Sequence, residues 1–163
     1  MIESTQPATR RGYLMKFLVA IDGSETGLSA LAKALELAKP TGASLLLLTV
    51  AEQANATFWP GMLPTGEPLY QGPPLAELEQ IARSVGEAAL EKGAKLCEAA
   101  GVDYQTRLEF GHARDTICEV AEQEKPDILV IGSRGLGSVQ RLMLGSVSDY
   151  VIHHAHCPVL VVR

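Results

Sequence analysis

Gly132-Ser133-Arg134-Gly135, nine further residues and then Gly145-Ser146 spell a G-x2-G-x9-G-[ST] pattern directly after the apolar run Ile128–Ile131. Glycines let a backbone come close to a ligand, and a helix starting behind them offers unpaired N–H groups and a positive dipole end. Phosphate oxygens are what such a nest accepts. Ser146 and Ser148 add hydroxyl donors at the same helix start, and Arg134 and Arg141 supply charge that neutralises phosphate or simply sits in solvent. A P-loop is excluded because no lysine follows these glycines, and G-x-G-x-x-G is absent. The bland alternative is a tight loop without a ligand.

A second chemical group is Asp22, at the end of the apolar run Phe17–Ile21 and ahead of Gly23-Ser24. An acid there orients the turn or faces a ligand; beside phosphates it requires a cation, so Mg²⁺ or Mn²⁺ would accompany the nucleotide. His153, His154, His156 and Cys157 cluster, yet no second Cys/His pair stands at zinc spacing, and helical register puts His154 with Val147 and Val151 as a packed side chain. No protein-only metal site is expected. His112 reads as a capping residue at a helix start, and Cys97 and Cys118 as buried helix residues. Nothing pairs a nucleophile with a base, so no catalytic residue is assigned and any hydrolysis is expected to be slow.

The elements that must position these groups alternate in type. Phe17–Ile21 is an apolar strand, and Ser24 caps a helix through Leu28, Leu31, Ala32, Leu35 and Ala38 that stops at Lys39-Pro40-Thr41-Gly42. Leu45–Val50 is a second buried strand. Residues 52–74 hold five prolines and three glycines and read as a long loop, a lid or a passive surface segment, carrying Phe58, Trp59 and Tyr70. Leu75, Leu78, Ala82, Val85, Ala89, Leu96 and Ala100 trace one long helix ending at Gly101. Val102 to Phe110 alternates as an edge strand should; a helix from Ala113 to Gln123, the strand Ile128–Ile131, a last helix and the strand Val159–Val162 follow.

Strands separated by helices imply right-handed crossovers, hence a doubly wound, Rossmann-like five-stranded parallel sheet of order 3-2-1-4-5 with helices on both faces. Its ligand crevice opens between strands one and four, where the winding reverses. The fold is expected over residues 15–163, with 1–14 a flexible extension. A net charge of −5 without a basic block beyond Arg10-Arg11 argues against nucleic acid, no apolar run is long enough for a membrane, and three unpaired-looking cysteines suggest a reducing, cytoplasmic setting. Val159, Leu160, Val161 and Val162 form an apolar edge that would pair with the same strand of a second subunit as a two-fold homodimer, or be covered by residues 1–14.

Three stretches, Val19–Ser24, Gly132 through Ser146, and His154–Val162, resemble the universal stress protein family in its ATP-binding, glycine-motif subgroup. The resemblance spans about Met15 to Arg163. It implies ATP, ADP or AMP held by Gly132, Gly135, Gly145, Ser146, Val147 and Ser148 at the phosphate and ribose end, and by Ala20, Ile21, Asp22 and Val50 at the adenosine end. It also implies a dimer, an unknown protein partner, and work as a nucleotide-dependent switch or sensor. Ile21 lacks the hydroxyl that some relatives carry there. A slow ATPase or nucleotidyl transferase, and a nucleotide-free dimeric module, are the rival readings.

Overall fold

The computed structural model describes residues 14–52, 65, 74–134 and 144–163. Gly135, Arg141, Phe58, Trp59, Tyr70 and the segment 1–13 lie outside them. Among the described residues nine elements follow in strict strand–helix alternation: β1 Lys16–Ala20, α1 Glu25–Thr41, β2 Ser44–Ala51, α2 Leu75–Ala100, β3 Tyr104–Phe110, α3 Ala113–Glu124, β4 Ile128–Gly132, α4 Ser146–His154 and β5 Val159–Val162.

The five strands form one parallel sheet in the order β3-β2-β1-β4-β5. Central β1 places Val19 between Leu47 and Val130, and because both its faces are covered, its residues are apolar without alternation. The pleat divides the core in two. Phe17, Val19, Leu45, Leu47 and Val130 meet α1 and α2 on one side, while Leu18, Leu46, Leu48, Leu129 and Ile131 meet α3 and α4 on the other. The alternating strand β3 is at the edge, as its pattern requires. No helix among the described residues is long and apolar enough to cross a membrane.

Local chemistry sets the helix ends. Ser24 caps α1 by accepting the Gly27 N–H at 3.0 Å, and Gly42 closes it at φ +67°, a left-handed conformation that suits a residue without Cβ. Pro40 sits inside the last turn, where Thr41 Oγ1 donates to the Leu37 carbonyl at 2.7 Å.

Several side chains differ from their sequence reading. In α1 the buried stripe is Gly27, Ala30, Leu31, Ala34, Leu35 and Ala38; Ala32 is exposed. In α2 the contact face is made of small residues: Gly86, Ala89, Leu90, Gly93 and Cys97 are buried, whereas Val85 and Leu96 are exposed. The helix approaches so closely that a Cβ on Gly93 would stand 2.8 Å from Ile21 Cδ1. Burial raises the Cys97 thiol pKa to about 11, but Cys118 is only partly buried. His154 is exposed, not packed: its ring stacks on Tyr150 at 3.8 Å and its Nδ1 meets the Tyr150 carbonyl at 2.8 Å. His112 occupies the N-cap position of α3, but its side chain makes no capping bond.

Candidate functional site

At the carboxyl ends of β1 and β4 the crossovers leave in opposite directions, and the gap between them is a cavity of about 550 Å³. Ala20, Ile21, Asp22 and Val50 line one side. Gly132, Arg134, Gly145, Ser146, Val147 and Ser148 line the other. Every expected site residue within the described chain therefore borders the same space, although the two groups lie more than eighty residues apart in sequence.

The first side is shaped by the end of β1. The Ile21 N–H still bonds the Leu48 carbonyl at 2.9 Å, continuing the ladder, but the Ile21 carbonyl is taken by the buried Thr49 hydroxyl at 2.8 Å. The chain then turns through Gly23 at φ +81°. Asp22 Oδ1 accepts the Ser24 N–H at 3.0 Å and the Ser24 hydroxyl at 2.5 Å, so the acid holds the residue that caps α1. Asp22 thus orients the turn while its carboxylate borders the cavity.

The second side depends on how close β4 comes to α1. A Cβ on Gly132 would lie 2.8 Å from both the carbonyl carbon and oxygen of Thr26 and 3.1 Å from the Gly27 nitrogen. Only a residue without a side chain lets the strand end rest on the first turn of that helix. Gly27 lines the cavity in turn. The starts of α1 and α4 consequently face one space, each with the positive end of its dipole toward it.

Gly145 is the N-cap of α4, and no side chain caps the helix there. Its N–H donates to the Ser133 carbonyl at 2.7 Å, drawing the far end of the glycine segment back to β4. Ser148 is 2% exposed, with Oγ 2.9 Å from the Ser133 carbonyl and 3.0 Å from the Gly145 carbonyl. One hydroxyl has one proton, so these carbonyls use it. Ser148 is a clamp on the loop and not the open donor its position in the sequence suggests. Ser146, at the start of α4, is exposed.

Three parts of the wall escaped the sequence reading. Gly27 comes from α1; Ala82, Val85 and Gly86 from α2; Ala113 and Ile117 from α3. With Leu48, Thr49 and Ile131 they make the interior predominantly apolar, suited to a flat ring rather than to a small ion alone. Among the described residues no three His, Cys, Asp or Glu side chains are grouped to hold a metal.

Comparison with known proteins gives consistent results. The model of the universal stress protein family matches residues 14–163. A universal stress protein of Methanocaldococcus jannaschii is 32% identical over 148 residues, covering 91% of this chain and 81% of the relative. Among solved structures, a universal stress protein in complex with cAMP superposes with a TM-score of 0.64 at 26% identity, covering 91% of this chain and 97% of the other. A family member from Arabidopsis thaliana with AMP bound gives 0.63 at 25% identity, covering 91% and 90%.

Proposed function

Since the chain belongs to the universal stress protein family, we propose that it binds an adenine nucleotide, with ATP as the leading candidate and ADP or AMP as alternatives, in the crevice between β1 and β4. Nucleotide occupancy then acts as a switch or sensor in the stress response. The observation that carries the reading is the meeting, in one cavity, of an uncapped helix start behind Gly145 and an apolar chamber walled by α2 and α3. The first suits phosphate and the second suits a purine. Structures of relatives with AMP and cAMP support the ligand class.

In this arrangement the first-turn amides of α4, together with Gly132 and Arg134, hold the phosphates, and Gly135 joins them. Ala20, Ile21 and Val50 border the base and ribose. Asp22 stands on the cavity wall, where a carboxylate and phosphates repel each other; a Mg²⁺ or Mn²⁺ carried by the nucleotide removes that repulsion. Binding that draws α4 toward the turn after β1 has different affinities for the drawn and relaxed forms, and that difference is what lets a ligand shift a surface read by a partner protein. The apolar edge of β5 pairs with its copy to make the dimer.

Titration calorimetry with ATP, ADP, AMP and GTP tests the proposal. Saturable heat with adenine nucleotides at one site per chain, weaker with GTP, is expected. No heat with any of them, together with no nucleotide released on denaturing the purified protein, would leave a dimeric interaction module as the better description. Phosphate release at enzyme-like turnover would instead make it an ATPase.

A further inference from the structure

Among the described residues, Ser133 and Gly145, the two flanks of the glycine segment, are tied together by local anchors: Gly145 N–H to the Ser133 carbonyl, and Ser148 Oγ to the carbonyls of Ser133 and Gly145. A further anchor is not local. Thr26, in the first turn of α1, donates its hydroxyl to the Arg134 carbonyl at 2.6 Å across a separation of 108 residues. Thr26 is not among the residues lining the cavity. Its backbone is also the surface against which Gly132 rests.

Proton bookkeeping defines what this contact does. Ser24 Oγ lies 3.2 Å from Thr26 Oγ1, which by distance alone suggests a continuous chain from Asp22 to the loop. The Ser24 proton, however, goes to Asp22 at 2.5 Å and the Thr26 proton to Arg134 at 2.6 Å, so none remains between the two oxygens. The first turn of α1 therefore works as a rigid bracket: Ser24 holds Asp22 on one side, and Thr26 holds the entry of the glycine segment on the other. Methyl and hydroxyl on a β-branched carbon restrict the rotamer that aims the donor.

We infer that Thr26 is a positioning residue for the phosphate end of the site, fixing the Arg134 carbonyl and so the backbone from Gly132 to Arg134 where it borders the cavity. The inference rests on the nucleotide reading for its consequence, but the anchor itself is testable without ligand. Thr26→Val keeps the shape and removes the donor; Thr26→Ser keeps the donor. In the free protein, amide hydrogen exchange at Gly145 is expected to be about ten-fold faster in Thr26→Val, the scale of one lost hydrogen bond, with α2 amides unchanged. ATP affinity falls about three- to ten-fold while adenosine affinity stays within about two-fold, and Thr26→Ser restores both readouts.

Equal Gly145 exchange in wild type and Thr26→Val would overturn the anchor, whatever the ligand. Parallel loss of ATP and adenosine affinity would overturn phosphate-specific positioning in favour of a general packing role. Faster Gly145 exchange in a protein whose wild type takes up neither ligand would sink the nucleotide reading and leave the anchor standing.

Discussion

Gly132→Ala adds one methyl group and asks whether β4 has to touch α1 for the site to form. The added carbon would meet the Thr26 carbonyl carbon and oxygen at 2.8 Å and the Gly27 nitrogen at 3.1 Å. All three are backbone atoms, so no side chain can swing aside, and carbon contacts relax only near 3.5 Å or beyond. Either the α1 start or the β4 end must retreat by at least about half an ångström. Gly132 is not among the residues with positive φ, so alanine suffers no conformational strain there and the cost is steric. Overpacking of this kind costs about 2 kcal/mol, or roughly 4–8 °C in Tm for a chain of this size.

The same retreat separates Gly27 from Arg134, so nucleotide affinity should fall with stability. Gly42→Ala is the control: φ is +67° with nothing within 4 Å of the new carbon, so left-handed strain of about 1 kcal/mol lowers Tm without touching nucleotide binding. Differential scanning calorimetry and ATP titration on both variants separate the effects. A Gly132→Ala protein with wild-type Tm and affinity would refute the close-approach argument.

Other outcomes follow from the same structure. Ser24→Ala removes the cap of α1 and the hydroxyl donor to Asp22 while leaving the backbone N–H donor in place, and should cost about 1 kcal/mol in urea denaturation; no change would mean the cap is redundant. The Lys16 ammonium hydrogen-bonded to Glu124, helped by Arg107 at 3.0 Å, holds the Glu124 carboxyl below its ordinary 4.5. A depressed folded pKa means that its stabilisation is complete above pH 4.5 and is lost as pH falls through the lowered value. Glu124→Gln should therefore narrow the difference between urea midpoints at pH 7 and pH 3, and an unchanged difference counts against the ion pair. Cys97, with its thiol raised to about 11 and no exposure, should resist a thiol reagent at pH 8 until the protein unfolds. Labelling in the native state would contradict the placement of α2. On β5 the carbonyls of Pro158 and Val162 accept from Leu129 and Ser133, so Val161 turns its backbone N–H away from β4. Val161→Pro should convert the proposed dimer to monomer in sedimentation without unfolding it, and a surviving dimer would place the interface elsewhere.

The sheet order was legible because β1, β2 and β4 read as unbroken apolar runs and β3 alternated as a half-exposed edge does; β5, apolar although at an edge, was placed by its position in the winding and not by its pattern. Helix faces were less legible. In α2 the contact surface is built from Gly86, Ala89, Gly93 and Cys97, so the large apolar Leu96 marked the wrong side, and Val85, exposed, borders the cavity instead of the core. Close packing selects for smallness, which a hydrophobic count does not register. The same limit hid the α2 and α3 walls of the cavity, whose lining residues are distant in sequence from the glycine pattern. Ser148 shows the complementary error: a hydroxyl near a helix start looks like an open donor until the carbonyls that use its proton are seen. His154 was assigned inward from helical register, but the helix ends there and the ring stacks outward on Tyr150.

The central claim is spatial and is tested most directly by a crystal structure of the protein grown with ATP. The account predicts triphosphate density against the first turn of α4, between Gly132 and Ser146, with the purine in the chamber bounded by Val50, Val85 and Ile117. Nucleotide bound at full occupancy on another surface, with that crevice empty, would contradict it.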